Sequence, residues 1–246
     1  MNIQWDARGY TDRFSFVHHY GGALLEQIGL DGSALDLGCG NGALTAELAE
    51  RGLQVVGLDA SRELLEIARA NHPELMFRWG DATDFDLPEP VDVVFSNAVL
   101  HWIDAEKQPD VLKNVHRALK DGGEFVFEMG GKGNNAKIHG ALAEAFARRG
   151  LAYRMPFYFP SIGEYAMLLE KAGFRVEYAV LFERPTELCG EDGLADWIRM
   201  FVKTPFDGVN GAEEIVSEAV EALRDELFQD GKWYADYVRL RMKAVK

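Results

Sequence analysis

Short, almost wholly apolar runs alternate with amphipathic stretches through the first half of the chain. Ser33–Leu37 and the runs 54–58, 75–79, 91–96 and 124–129 are apolar and rich in β-branched or aromatic residues, which predicts five strands. The run 91–96 is nearly unbroken, as in strands buried on both faces. Between these runs, 43–51, 62–70 and 105–119 repeat apolar residues at helical spacing. Ser61 is a favourable N-cap for the second of these helices, with Glu63 and Glu66 in its early turns. Gly122-Gly123 predicts the end of the third. Strands alternating with helices predict a doubly wound, mostly parallel α/β sheet with right-handed crossovers.

The rhythm changes after Met129. A loop, Gly130-Gly131-Lys132-Gly133-Asn134-Asn135, precedes a predicted helix over 136–149, an aromatic segment over 153–159 and a helix over 162–172. A sixth strand is expected over 174–182. Helical patterns over 194–201 and 212–227 then separate it from a last alternating segment, 234–244. There Val238, Leu240 and Met242 alternate with Arg239, Arg241 and Lys243, as in a strand with one buried face. Amphipathic helices over 10–28 precede the sheet. The whole predicts seven strands with an antiparallel last strand and helical cap insertions. The division is a helical lid over 1–32, a ligand-binding core over 33–130, a cap over 131–173, the sixth strand over 174–184, a second cap over 185–231 and the last strand over 232–246, all one compact unit.

Apolar residues make up 48% of the 246 and charged residues 27%, ordinary for a globular protein. The formal net charge of −14 argues against an extended nucleic-acid surface, since Arg148-Arg149 and the Arg239/Arg241 pair stand apart. Two cysteines, Cys39 and Cys189, give neither a disulfide framework nor metal-ligand spacing, so a metal-free protein in a reducing, cytoplasmic setting is expected. The first residues lack a basic region followed by an apolar one, and no apolar run approaches the ~20 residues that span a bilayer. No nucleic-acid or membrane partner is expected, and the assembly is expected to be a monomer or homodimer.

The densest chemistry lies in Leu35-Asp36-Leu37-Gly38-Cys39-Gly40-Asn41-Gly42, where a strand delivers an acid and three alternating glycines to the start of a helix. Glycines at such a turn let a ligand lie against the backbone. The carboxylate of Asp36 disfavours phosphate there and favours an amino group, which points to S-adenosylmethionine rather than a dinucleotide. The remaining strand ends match the remaining groups of that molecule. Asp59, roughly 20 residues on, can accept from both ribose hydroxyls, with Ala60, Ser61 and Leu64 opening the helix beside it. Gly80-Asp81-Ala82 can meet the adenine, and Asn97-Ala98 the methionine end. A nicotinamide-dependent oxidoreductase remains an alternative, because Gly38-Cys39-Gly40-Asn41-Gly42-Ala43 also reads as Gly-x-Gly-x-x-Ala. A protein that binds S-adenosylmethionine without catalysis is a third reading.

These motifs, with Asn97-Ala98-Val99-Leu100-His101-Trp102 and the stretch 119–127, resemble those of class I S-adenosylmethionine-dependent methyltransferases across roughly 33–129. Trp5-Asp6-Ala7-Arg8-Gly9-Tyr10 and His101-Trp102 are most similar to the trans-aconitate methyltransferase-like small-molecule enzymes (methyltransferase type 11/25). The resemblance implies a Rossmann-like fold, methyl transfer to a small molecule and S-adenosylhomocysteine as product. It further implies Tyr10 and Phe14 closing over the cofactor, with His101 and Trp102 beside it. A carboxylate acceptor needs no base; for a hydroxyl or amine, His19, His101 and Glu128 are the candidates. Trp5, His18, Glu128, Tyr153 and Phe157 are the expected acceptor-side residues.

Overall fold

The computed structural model describes residues 22–246, so Trp5, Tyr10, Phe14, His18 and His19 lie outside the described residues. After a helical turn, α1 (Gly22–Leu25), the expected alternation follows: β1 (Ser33–Leu37), α2 (Ala43–Glu50), β2 (Gln54–Asp59), α3 (Arg62–Asn71), β3 (Met76–Trp79), β4 (Val91–Asn97), α4 (Gln108–Ala118) and β5 (Leu119–Gly130). Helices α5 (Ala136–Ala147) and α6 (Ile162–Lys171) lead to β6 (Arg175–Glu183). The chain then forms β7 (Thr186–Leu188), α7 (Gly193–Phe201), α8 (Ala212–Ala222), α9 (Arg224–Leu227), β8 (Phe228–Gln229), β9 (Lys232–Ala235) and β10 (Val238–Val245).

The main sheet has the order β3-β2-β1-β4-β5-β10-β6. Its pairs are parallel except those of β10, which is antiparallel to both β5 and β6. The mostly parallel seven-stranded fold with a reversed last strand therefore holds. Winding changes direction between β1 and β4, and in such sheets a crevice opens there beyond the carboxyl ends of the strands. Because β10 runs backwards, its first residues arrive at this same edge, with Arg239 opposite Gly130 at the end of β5.

Both faces of the sheet are covered. Val111, Leu112 and Val115 of α4 and Tyr165 and Leu169 of α6 pack with Phe125 and Phe127 on one face. Leu24, Leu25, Leu44 and Leu48 pack against Val93, Phe95 and Val126 on the other. The helix α6, expected in the first cap insertion, thus belongs to the sheet core, where the Tyr165 hydroxyl donates to Gln108 Oε1 at 2.9 Å. The cap has its own core, built from Ile138, Leu142 and Phe146 of α5 with Trp197, Ile198, Ile215, Val216 and Trp233. A small sheet of order β7-β9-β8 belongs to it.

Three boundaries differ from expectation for local reasons. Helix α4 stops at Ala118, and Gly122-Gly123 lies inside β5, where the register with β4 shifts and Gly122 takes φ +79°. The helix expected over 212–227 breaks at Leu223 into α8 and α9. The last alternating segment divides at Asp236-Tyr237, because β9 joins the cap sheet while Asp236 accepts the Lys137 N–H at the start of α5 (2.8 Å).

Candidate functional site

Among the described residues, a cavity of about 200 Å³ lies at the carboxyl edge of the sheet, beneath the cap. One half is made by the ends of β1 to β4. The loop after β1 folds back over β2, with the N–H groups of Gly38 and Cys39 both donating to the Leu58 carbonyl at 2.7 and 3.1 Å. Gly38 takes φ +80°, and a Cβ there would stand 2.2 Å from Val99 Cγ2. Gly40 takes φ +55° and faces open space, with no atom within 4 Å of where its Cβ would be. The turn therefore needs one glycine for packing and another for access. Gly38→Ala should cost about 1–3 kcal/mol through overpacking and left-handed strain. Thermal denaturation checks this; a melting temperature equal to the parent's would mean that Val99 moves freely.

Two carboxylates face this half, Asp36 buried and Asp59 half-buried. Asp36 is 2% exposed and accepts from Thr45 Oγ1 at 2.6 Å. Burial pushes its pKa up to about 7, against the pull of the Thr45 bond and with a further push from Asp59. Asp59 accepts from Gly40 N–H at 2.8 Å and Ser61 N–H at 2.7 Å. Burial raises its pKa too, opposed by the amides of Ser61, Gly40 and Ala60. Asp81 Oδ1 accepts twice from Thr83, which outweighs the effect of its partial burial and holds its carboxyl below the ordinary value. At the end of β4, Ala98 sits at φ +59° with its N–H on the Glu128 carbonyl (2.8 Å). A non-glycine residue held there is backbone strain stored at the cavity wall. A buried and a half-buried acid beside a bare backbone turn suit a ligand with an ammonium group and a diol.

The other half is aromatic. Trp102 meets Phe157 edge-on at 4.7 Å, Phe157 stacks on Phe159 at 5.3 Å, and Trp197 lies 5.3 Å from Phe201. The Trp197 indole N–H donates to the Tyr237 hydroxyl at 2.7 Å. The Arg239 guanidinium lies 4.1 Å over the Tyr237 ring. His101 is buried, and its Nδ1 accepts the Gly130 N–H at 3.1 Å. Burial, aided by the charge of Arg239, holds its pKa well below the usual value. The neutral ring therefore carries its proton on Nε2, and neither nitrogen is placed to act as a base.

Of the residues expected from sequence, Asp36, Gly38, Cys39, Gly40, Asp59, Ala60, Leu64, Gly80, Asp81, Ala82, Asn97, Ala98, His101, Trp102 and Phe157 line this one cavity. Four do not. Asn41 turns its side-chain oxygen to the Ala43 N–H (3.3 Å), and Ser61 caps α3 through Leu64 N–H (3.2 Å). Tyr153 pairs with His139 Nδ1 at 2.6 Å behind the aromatic wall. Glu128 is 2% exposed and held by Arg184 and Arg241, so it serves the sheet rather than the cavity. Sequence reasoning missed Tyr237, Arg239, Asn134 and Asn135, all in the lining. The signal for the first two was the reversed direction of the last strand.

Among the described residues there is no metal-ligating cluster of three or more His, Cys, Asp or Glu, and no helix long and apolar enough to cross a membrane. Residues 34–123 match the family model described as a methyltransferase domain. The chain is 36% identical to an uncharacterized methyltransferase of Schizosaccharomyces pombe across 98% of both proteins. It is 32% identical to a trans-aconitate 2-methyltransferase of Deinococcus radiodurans, covering 72% of this chain and 73% of that one. An S-adenosylmethionine-dependent methyltransferase structure from Mesorhizobium loti covers 92% of this chain and 96% of its own, with a TM-score of 0.55 at 21% identity.

Proposed function

The chain belongs to the class I S-adenosylmethionine-dependent methyltransferases, in the group of the trans-aconitate enzymes, and from that premise we propose that its methyl acceptor is a small organic molecule. The observation that carries this reading is the continuity of one cavity from Asp36 and Asp59 to the aromatic wall under the cap. The walls on the second side are ring faces packed onto the cap core, which suits a compact guest. The similar Deinococcus radiodurans enzyme is named for a small molecule of this kind, trans-aconitate.

When bound, the cofactor supplies an electrophilic methyl group on a sulfonium. Asp36 and the backbone of 38–40 would hold its amino-acid end, Asp59 the ribose hydroxyls, Asp81 and Ala82 the adenine, and Asn97 and Ala98 the methionine side. The aromatic wall would keep water out and hold the acceptor in line, which supplies much of the acceleration in a displacement of this type. His101, neutral with its proton on Nε2, would orient the acceptor by donating a hydrogen bond. Among the described lining residues of the acceptor side no group is set up to remove a proton, which favours an acceptor that attacks without losing one.

The site assignment has a direct check. A ligand that binds only the folded state raises its melting temperature. Saturating S-adenosylhomocysteine should raise it here by several degrees, NAD should not, and Asp59→Ala should remove the shift while still folding. A shift retained in Asp59→Ala would move the ribose contact elsewhere; a shift with NAD alone would favour a dehydrogenase.

A further inference from the structure

Five of the rings that line the acceptor half form one unbroken run of contacts. Phe159 stacks on Phe157, Phe157 meets Trp102 edge-on, Trp102 lies 6.1 Å from Phe201, and Phe201 lies 5.3 Å from Trp197. The run is fixed in place at three points. Tyr158 N–H donates to the His101 carbonyl at 3.0 Å, Lys132 N–H donates to the Pro160 carbonyl at 2.8 Å, and the Trp197 indole donates to the Tyr237 hydroxyl. The neutral His101 ring stands 5.5 Å from Trp102. A fixed group of rings favours positive charge spread over a flat guest. Among the described residues lining the cavity, three carboxylates, Asp36, Asp59 and Asp81, outnumber the one guanidinium, Arg239. The net charge of −14 also repels organic anions on approach. Yet a guest that arrives already charged has to give up its hydration among rings. A neutral guest that becomes charged during the reaction meets both conditions.

We propose that the acceptor is a flat heteroaromatic base methylated on a pyridine-type ring nitrogen; this rests on the methyltransferase reading above. The nitrogen lone pair forms the new N–C bond, the C–S pair stays on sulfur, and no proton moves. One positive charge passes from the sulfonium to the ring, so the products are an N-methyl ring cation and neutral S-adenosylhomocysteine. The guest enters uncharged at little cost in hydration. The ring wall then stabilises the charge that builds on it as the methyl passes, a contact stronger in the transition state than in the ground state. No general base is required, which agrees with a His101 whose Nδ1 is taken by the Gly130 N–H. An aliphatic amine, protonated at neutral pH, would first have to lose its proton. A carboxylate would be stripped of water against ring faces.

The test is calorimetric titration into the protein saturated with S-adenosylhomocysteine, using two sets of probes matched in shape. One set is N-methylpyridinium, toluene and benzoate; the other is N-methylisoquinolinium, 2-methylnaphthalene and 2-naphthoate. Tetramethylammonium serves as a cation that is not flat. In at least one set the cation is expected to bind about five times more tightly than the neutral member or better, and more tightly than the anion or tetramethylammonium. Phe157→Leu and Phe159→Leu should each cut that advantage about threefold while keeping the melting shift with S-adenosylhomocysteine. If neither cation reaches the fivefold margin, if an anion or tetramethylammonium binds best, or if the advantage is undiminished in both variants, the proposal is overturned. Loss of the S-adenosylhomocysteine shift in the parent protein would instead bring down the underlying site reading. The two failures are thus distinct.

Discussion

Asp36→Asn is expected to weaken binding of S-adenosylhomocysteine by about 30-fold or more while making the free protein more stable above neutral pH. The carboxylate of Asp36 is buried, has one strong hydrogen bond from Thr45 and lies near the charge of Asp59. Its pKa rises from 3.8 to about 7. A carboxyl whose pKa is higher in the folded state favours folding while it stays protonated. That advantage is complete below pH 4 and is lost as pH rises through 7. Above pH 7 the folded protein therefore carries a buried charge that opposes folding by about 4 kcal/mol, from roughly three pKa units at 1.36 kcal/mol each. Asparagine keeps the shape and the Thr45 bond without the charge. Melting curves from pH 4 to pH 8 should show the variant drawing ahead of the parent as pH rises. Parallel curves would mean that Asp36 ionises at its ordinary pKa. Loss of the charge would remove the proposed partner of the ligand's ammonium, at about 2–5 kcal/mol, or 30-fold or more in affinity. In the parent protein the same linkage has the opposite face. Binding holds Asp36 ionised, so affinity should fall about tenfold per pH unit below 7. On the proposed assignment, the site keeps a destabilising charge because the ligand's ammonium group would need it.

The half of the cavity proposed for the cofactor was legible as one cluster because its information is local. A strand end, a glycine turn and an acid occur within a few residues, and in a parallel sheet every strand end reaches the same edge. Thus Asp36, Asp59, Asp81 and Asn97 could be read in order without knowing how strands pair. The acceptor half needed long-range facts. Arg239 follows two insertions, and its alternation with Leu240 and Met242 reads as an ordinary polar face. Only the antiparallel direction of β10 brings its start beside Gly130 and His101. Gly122-Gly123 misled because the same pair can end a helix or form an irregularity in a strand, and pairing of Leu119 with Val91 decides for the strand. Ser61 looked like a ligand contact, yet its hydroxyl caps α3 and only its N–H serves the site, through Asp59. Residues at a strand end also do not announce which face they occupy, and Glu128 is the case in point.

Glu128→Gln should lower the melting temperature by roughly 10 °C and leave the affinity for S-adenosylhomocysteine within about twofold of the parent's. Its carboxylate accepts from Arg184 Nη2 at 2.5 Å and from Arg241 Nε and Nη2 at 2.9 and 2.7 Å. These bonds tie β5 to β10 and to the segment after β6, and Arg241 also reaches the Ala23 carbonyl. The face of β10 opposite the apolar core is thereby a ladder of ion pairs, continued by Lys243 with Glu124 at 2.7 Å. Removing one member of a buried pair leaves uncompensated charge and costs about 3–5 kcal/mol. For a chain of this size each kcal/mol moves the midpoint by about 2–4 °C. The cofactor half should survive, because the bond from Ala98 N–H to residue 128 uses the main-chain carbonyl, which the substitution keeps. A catalytic or ligand-binding carboxylate makes the reverse prediction, with little change in melting and a large loss of binding or turnover. Differential scanning calorimetry and titration of S-adenosylhomocysteine at 20 °C on the same preparation decide between them. Unchanged melting with lost binding would return Glu128 to the cavity; the opposite pattern makes it the tie that keeps the reversed strand, and with it Arg239, at the edge of the sheet.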